Sequence, residues 1–438
     1  MALPAGGAID PFALAGATGT VLADGDRVLV GLGRALSLEL PGGLADAPAV
    51  DDATAALAAI ACDDRLPPGN HSTGHAVVAF AALPFDRSAA ASLVVPELTY
   101  ARESDGSEWV TVVGAVGTAL PDPDDPRAAG SLRTLLVDRS GGTRPAEDGS
   151  GTPVVVPRGD DDGFERSVAT AVGAIGRLEL VKVVLARTVD VRLDHPVDVP
   201  ALLGRWASLE PSCTVFSVAT ADGQFVGASP ELLVEREAER VRSRPLAGTT
   251  DRVHDADGGL PAVLLESAKD GEEHRLVVDA IRHALAPVTE SLHVPDRPEL
   301  VHLHSITHLG TSIDGILRPG PDGAVPTALH LVARLHPTPA VGGVPRDVAS
   351  ELIGRLEPTP RGTYAGPVGW VDGSGDGRWM IGIRAMTVTG NEIRMTAGVG
   401  IVAGSDPHTE LQETRLKFQA VYDALAPGHH FDTAAPTG

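Results

Sequence analysis

The stretch RWMIGIRAMTVTGNEIRMTAGVGIVAG, residues 378–404, holds two apolar runs of strand character joined at Gly390-Asn391. A Gly-Asn pair between runs rich in Ile, Met, Val and Thr is turn chemistry, and the spacing predicts strand, tight turn, strand. A helix is predicted next, over DPHTELQETRLKFQAVYDAL (406–425), with Asp406 as N-cap and Pro407 at the first helical position. Antiparallel strands with interspersed helices define a layered α/β fold of α+β type.

Outward from this stretch the pattern continues. LELVKVVLAR (178–187) reads as a buried strand in which Val181, Val183, Val184 and Leu185 surround Lys182. GQFVGASPELLVERE (223–237) is strand-like and broken at Pro230, VPALLGRWASLEP (199–211) and EEHRLVVDAIRHAL (272–285) have helical spacing, and Phe164, Val168, Val172 and Ile175 mark another helix closed by Gly176. GTVLADGDRVLVGLG (19–33) is a hairpin with Asp24-Gly25 in its turn, and HAVVAFAALPFD (75–86) and ASLVVPELTY (91–100) are further strands. The expected organisation is one domain over 1–438. It comprises a strand-rich part (1–139), a Gly/Pro/Asp-rich loop (140–163), a catalytic part (164–425) and a flexible tail (426–438).

The 438 residues are 43% hydrophobic, enough for a sizeable core. A formal net charge of −23 disfavours nucleic acid and anionic membrane as partners, so an anionic ligand would need a local cationic site or a metal. Two distant cysteines, Cys62 and Cys213, read as reduced thiols. The start MALPAGGAID lacks the features of a signal peptide, and no apolar run is long enough to span a membrane, which predicts a cytoplasmic protein.

Several polar groups sit where an apolar residue would be cheaper. Lys182 either snorkels to a sheet edge or serves chemistry, because an unpaired buried ammonium costs several kcal/mol (order of magnitude). Glu231 follows a turn, and alone reads as an exposed carboxylate. Glu410, Glu413 and Lys417 share one helical face, either a solvated face with a Glu413–Lys417 pair worth about 0.3–0.5 kcal/mol or part of a site. Glu273 points with the apolar stripe of Leu276 and Val277. Carboxylates on the inward faces of two helices suit a hard cation such as Mg²⁺. Arg384, in an apolar strand, calls for an anion. Gly398 and Gly400 allow either close strand packing or backbone N–H groups open to an anion. His302, His304 and His308 lack standard zinc spacing and read as satisfied or substrate-facing.

The fragments KVVLAR, FVGASPELL, SRPLAGT, THLGT, HPTPAVGGVP, RGTYAGPVGW, IGIRAM, GVGIVAGSDP and ETRLK, in this order over about 178–420, resemble the chorismate-utilising enzyme family. GTVLADG and ALPFD with LVVPE resemble the N-terminal part of its isochorismate synthases. The resemblance implies two large layered antiparallel sheets surrounded by helices, and a Mg²⁺-dependent site for chorismate. By the same resemblance Lys182 is the general base and Glu231 the general acid. Glu273 and Glu413 are the principal metal ligands, with Asp270 and Glu410 near the metal. Tyr364, Arg384, Gly398, Gly400 and Lys417 bind the substrate carboxylates, and His308 stands beside the ring. Within the family, Ala247 replaces the nucleophilic lysine of aminodeoxychorismate synthases. Ala340 stands where anthranilate and salicylate formers usually carry Thr. The implied activity is isomerisation of chorismate to isochorismate, with salicylate synthase as the nearest alternative. The product would serve siderophore, menaquinone or salicylate formation. The chain is expected to act as a monomer, a downstream pathway enzyme being the one protein partner left open.

Overall fold

The computed structural model describes residues 1–63, 77–122, 124–141, 154–158, 161–177, 180–251, 260–321, 323–429 and 431. Its strands form sheets of eleven, nine and three members. Every strand pairing among the described residues is antiparallel. Leu29, Phe216 and Phe225 of the larger sheet pack against Phe80, Trp370 and Met380 of the nine-stranded one, giving an inter-sheet core. The outer face of the larger sheet is covered by the helices Val199–Leu209 and Pro407–Leu425. Ala47–Ala58 and Ala328–Leu335 lie on the nine-stranded sheet. The layered antiparallel α/β fold is the expected one.

Local chemistry explains the elements. The hairpin of strands Ala385–Thr389 and Glu392–Ile401 turns at Gly390-Asn391, with Gly390 at φ +64. The N-terminal hairpin turns one residue later than expected, at Gly25-Asp26, because Asp24 pairs with Arg27; Gly25 supplies the left-handed φ of +59. Asp406 caps the last helix by accepting the Thr409 amide at 2.9 Å, which satisfies one of the amides left free at a helix start.

Two strand pairs change sheets mid-run. Gly223–Ser229 belongs to the larger sheet and Leu232–Glu237 to the nine-stranded one, so Pro230-Glu231 is the step between layers. Gly377–Ile381 and Ala385–Thr389 are divided likewise, with Gly382–Arg384 as the step. Arg384 therefore does not lie within a continuous strand, as the apolar run suggested, but at a break with φ +52. The steps are tied together. The Ile381 amide donates to the Glu231 carbonyl at 3.0 Å, and the Ala228 amide to the Arg384 carbonyl at 3.1 Å.

The structure corrects other expectations. The N-terminal part carries the helices Ala47–Ala58 and Pro126–Ser140 as well as strands. Within the expected loop 140–163, Val154–Arg158 is a strand that among the described residues pairs only with Lys182–Arg192, and a helix begins at Asp161. Phe431, expected in a flexible tail, packs at 5.0 Å on the Phe418 ring and donates its amide to Gln419 at 2.6 Å; the rest of that tail from 432 lies outside the described residues. Val181 is exposed rather than packed around Lys182. Among the described residues no helix is long and apolar enough to cross a membrane.

Candidate active site

The sheet crossings and the helices Ala268–Leu285 and Pro407–Leu425 surround one cavity of about 910 Å³, its open mouth included. Eleven of the thirteen residues singled out from the sequence line it: Glu231, Asp270, Glu273, His308, Ala340, Tyr364, Arg384, Gly398, Gly400, Glu413 and Lys417. Lys182 and Glu410 are not in the wall. Lys182 is fully buried behind Glu273, with Nζ 2.9 Å from Glu273 Oε1. The contact is an ion pair without well-angled hydrogen-bond geometry, so the nitrogen keeps unused bonding capacity. Glu410 is 1% exposed and paired with Lys269 at 3.1 Å.

Glu231 lies at the step between sheets, 3% exposed. Burial pushes its carboxyl up to about 8, against the opposing charges of Lys182 and Lys417. It is therefore largely protonated at neutral pH, the state a proton donor needs. Glu273 behaves oppositely: burial would raise it, but the nearby ammonium groups, Lys182 first, hold it below its ordinary value.

Arg384 donates from Nη2 to His308 Nε2 at 3.1 Å, and His308 Nδ1 donates to the Gly248 carbonyl at 2.9 Å. A guanidinium can only donate, so the bond fixes His308 as the neutral Nδ1–H tautomer. Burial, and secondarily the Arg384 charge, push the imidazole down to about 3. Arg384 Nη1 is buried with no hydrogen-bond acceptor among the described residues. An orphaned guanidinium donor at a cavity wall is suited to an anion. The Gly398 carbonyl accepts from Lys417 Nζ at 2.9 Å, and a methyl on Gly398 would stand 3.3 Å from the Tyr364 hydroxyl. Burial pushes the Tyr364 phenol up to about 12. Gly400 makes room: a methyl there would run into Glu273 Oε1 and stand 3.1 Å from Lys182 Cε.

Among the described residues no three Asp, Glu, His or Cys side chains are gathered tightly enough to enclose a metal by themselves. Three of the four candidate carboxylates instead meet a lysine: Glu273 meets Lys182, Glu413 meets Lys417 at 2.7 Å, and Glu410 meets Lys269, while Asp270 accepts from the Ser267 hydroxyl. The acids are nonetheless close enough to repel. Burial, then the charges on Glu273 and Glu413, push Asp270 up against the opposing bond from Ser267. An open set of carboxylate oxygens on a cavity wall fits Mg²⁺, which binds through one or two carboxylates and keeps water or substrate oxygens. His302 and His304 stay at the surface, away from His308.

The sequence reading passed over two cations of this wall, Lys269 and Arg361. Lys269 immediately precedes Asp270, and Arg361 opens RGTYAG four residues after Glu357; a charged i, i+4 pair beside an apolar motif was the available signal.

A family model described as chorismate binding enzyme matches residues 23–426. The chain belongs to the chorismate-binding enzyme family. It is 35% identical over 351 residues to isochorismate synthase DhbC of Bacillus subtilis (strain 168), covering 77% of this chain and 85% of that one. It is 38% identical over 267 residues to isochorismate synthase EntC of Escherichia coli (strain K12), covering 60% and 66%. The solved structure of MenF, the menaquinone-specific isochorismate synthase from Escherichia coli, is similar at a TM-score of 0.76 and 26% identity, covering 97% of this chain and 93% of that one.

Proposed function

We propose that this chain is an isochorismate synthase, an isomerase that adds water at C2 of chorismate and expels the C4 hydroxyl, with Mg²⁺ as its metal. The observation that carries the reading is Glu231, a buried carboxyl that keeps its proton to about pH 8 in the same cavity as Arg384 and Lys417. One acid and two cations match a dianion that must lose a hydroxyl. The names of the relatives, matched over most of both chains, support the same choice.

In this reading Arg384, through its free Nη1, and Lys417 hold the substrate carboxylates. Neutral His308 aims the Arg384 guanidinium without adding charge. Lys182, as the amine, takes a proton from the water that bonds to C2. Glu231 gives its proton to the C4 oxygen, which leaves as water while the ring double bonds shift. One water enters and one leaves, so the sum is an isomerisation, and solvent returns the proton from Lys182 to Glu231. Glu273 and Glu413 would hold the Mg²⁺ beside Asp270 and Glu410; when bound, the ion would supply Lewis-acid withdrawal of electron density from the ring carboxylate. The reading has the chain act as a cytoplasmic monomer on free chorismate.

The test is product analysis. Purified protein incubated with chorismate and Mg²⁺ should yield isochorismate by chromatography, and chorismate recovered unchanged would overturn the proposal.

A further inference from the structure

The strand Lys182–Arg192 has a discontinuous outer edge. At Lys182 and Val183 it pairs with Val344 and Gly343, and from Thr188 to Arg192 with 154–158. Between them the Val184 amide still donates to the Gly342 carbonyl at 2.7 Å, but among the described residues no strand is paired on this edge with Val184 to Arg187. Two side chains take its place. Arg361 Nη2 donates to the Val184 carbonyl at 2.8 Å, and the Ala186 amide donates to Glu357 Oε1 at 2.8 Å. The two are joined to each other, Arg361 Nε to Glu357 Oε2 at 2.9 Å and Nη2 to Oε1 at 2.5 Å, with only 3% and 6% of their side chains exposed. Arg361 Nη1 reaches the other way and donates to the Val341 carbonyl at 2.7 Å. Its guanidinium stacks over the Phe85 ring, 4.2 Å from the centroid.

We propose that Arg361 is a positioning residue that sets the spacing between the Lys182 strand and the loop carrying Ala340, with Glu357 as its anchor. The guanidinium bonds the backbone two residues after Lys182 and the backbone one residue after Ala340, and it lies three residues before Tyr364 in the chain. One rigid group thus fixes the distance between the strand that carries the base and the neighbouring loop that carries Ala340. Only a planar fork with several donors in fixed directions makes these bonds at once; an ammonium on a flexible stem cannot. The catalytic part of this inference rests on the isochorismate synthase reading; the structural part does not.

The experiment compares full-length wild type with Arg361→Lys and Glu357→Gln. Hydrogen exchange is followed on peptides covering 182–187 and 338–344. Arg361→Lys should speed exchange there about tenfold or more while the hairpin 385–395 keeps its wild-type rate, the signature of a local opening. Turnover of chorismate by Arg361→Lys should fall about 100-fold with KM nearly unchanged, the cost of a displacement near 1 Å. Glu357→Gln, which keeps the acceptor for Ala186, should lie between the two. Millimolar guanidinium should restore part of the kcat of Arg361→Ala, with sodium chloride and urea as controls. Unchanged exchange at both peptides would overturn the proposal, as would a uniform rise across the chain. A raised KM at wild-type kcat would make Arg361 a substrate contact instead. If wild type leaves chorismate untouched, the functional reading fails, while the exchange data still decide the clamp.

Discussion

Lys182 Nζ stands 2.9 Å from Glu273 Oε1, in a pair whose lysine is wholly buried and whose carboxylate is 14% exposed. Removing one member of such a pair strands a charge at a cost of about 3–5 kcal/mol. The two losses should differ. Glu273 also feels Lys417 and Lys269, whereas the Lys182 ammonium has no other ion-pair contact among the described residues. In chelator, Glu273→Gln should therefore lower the urea midpoint more than Lys182→Met, and the double variant should lose less than the sum. Additive losses would show that the contact contributes nothing to folding.

Lys182→Arg separates charge from chemistry. The guanidinium keeps a cation beside Glu273 but does not deprotonate in proteins. Isochorismate formation should fall below detection while the chain stays folded by circular dichroism. Near wild-type turnover would make Lys182 an electrostatic clamp and send the search for a base elsewhere.

Glu231 has a raised native value of about 8 against an ordinary 4.5. Above 4.5 the unfolded chain gives up this proton and the native chain does not. Rising pH thus favours the unfolded state until about 8, and the contribution levels off beyond. Glu231→Gln, which is neutral throughout, should show a flatter Tm between pH 5 and 8 than wild type. Its kcat/KM should drop by about 10²–10⁴-fold. Wild-type kcat/KM should decline above about pH 8 as the acid is lost; a profile flat to pH 10 would remove Glu231 as the donor.

Gly400→Ala tests the space beside the carboxylates. Its methyl would displace the Glu273 carboxylate, a flexible group, rather than backbone. The variant should fold with a Tm within a few degrees of wild type in chelator, yet lose the rise in Tm that Mg²⁺ gives the wild type. Glu413→Ala should lose it too. Calorimetric Mg²⁺ affinity unchanged in both variants would place the ion elsewhere.

Ala340 lines the cavity on the loop held by Arg361. Isochorismate should be the main product at neutral pH and salicylate a minor one, measured by chromatography from the first minutes. Salicylate as the main early product would mean that this cavity also promotes loss of the enolpyruvyl group.

The sequence by itself determined whatever depends on near neighbours. Gly390-Asn391 turns the second hairpin, Asp406 caps the last helix and the apolar periods mark the strands, because each is decided within a few residues. The family resemblance also named eleven residues that now share one wall, nine of them within its motifs and Asp270 and Glu273 outside them. Tertiary structure alone decided sheet membership and partners. MIGIRAM has the period of one strand, but hydrogen bonding to different neighbours sends its two halves to different sheets and puts Arg384 at the break. The ammonium in the Lys182 strand needed a partner, and nothing local said that it would be Glu273. Glu231 looked like an exposed carboxylate after a turn; burial at the step between the two sheets strips its water and keeps its proton. Burial is a property of the assembled layers, so the charge states on which the chemistry rests could be read only after the chain had folded.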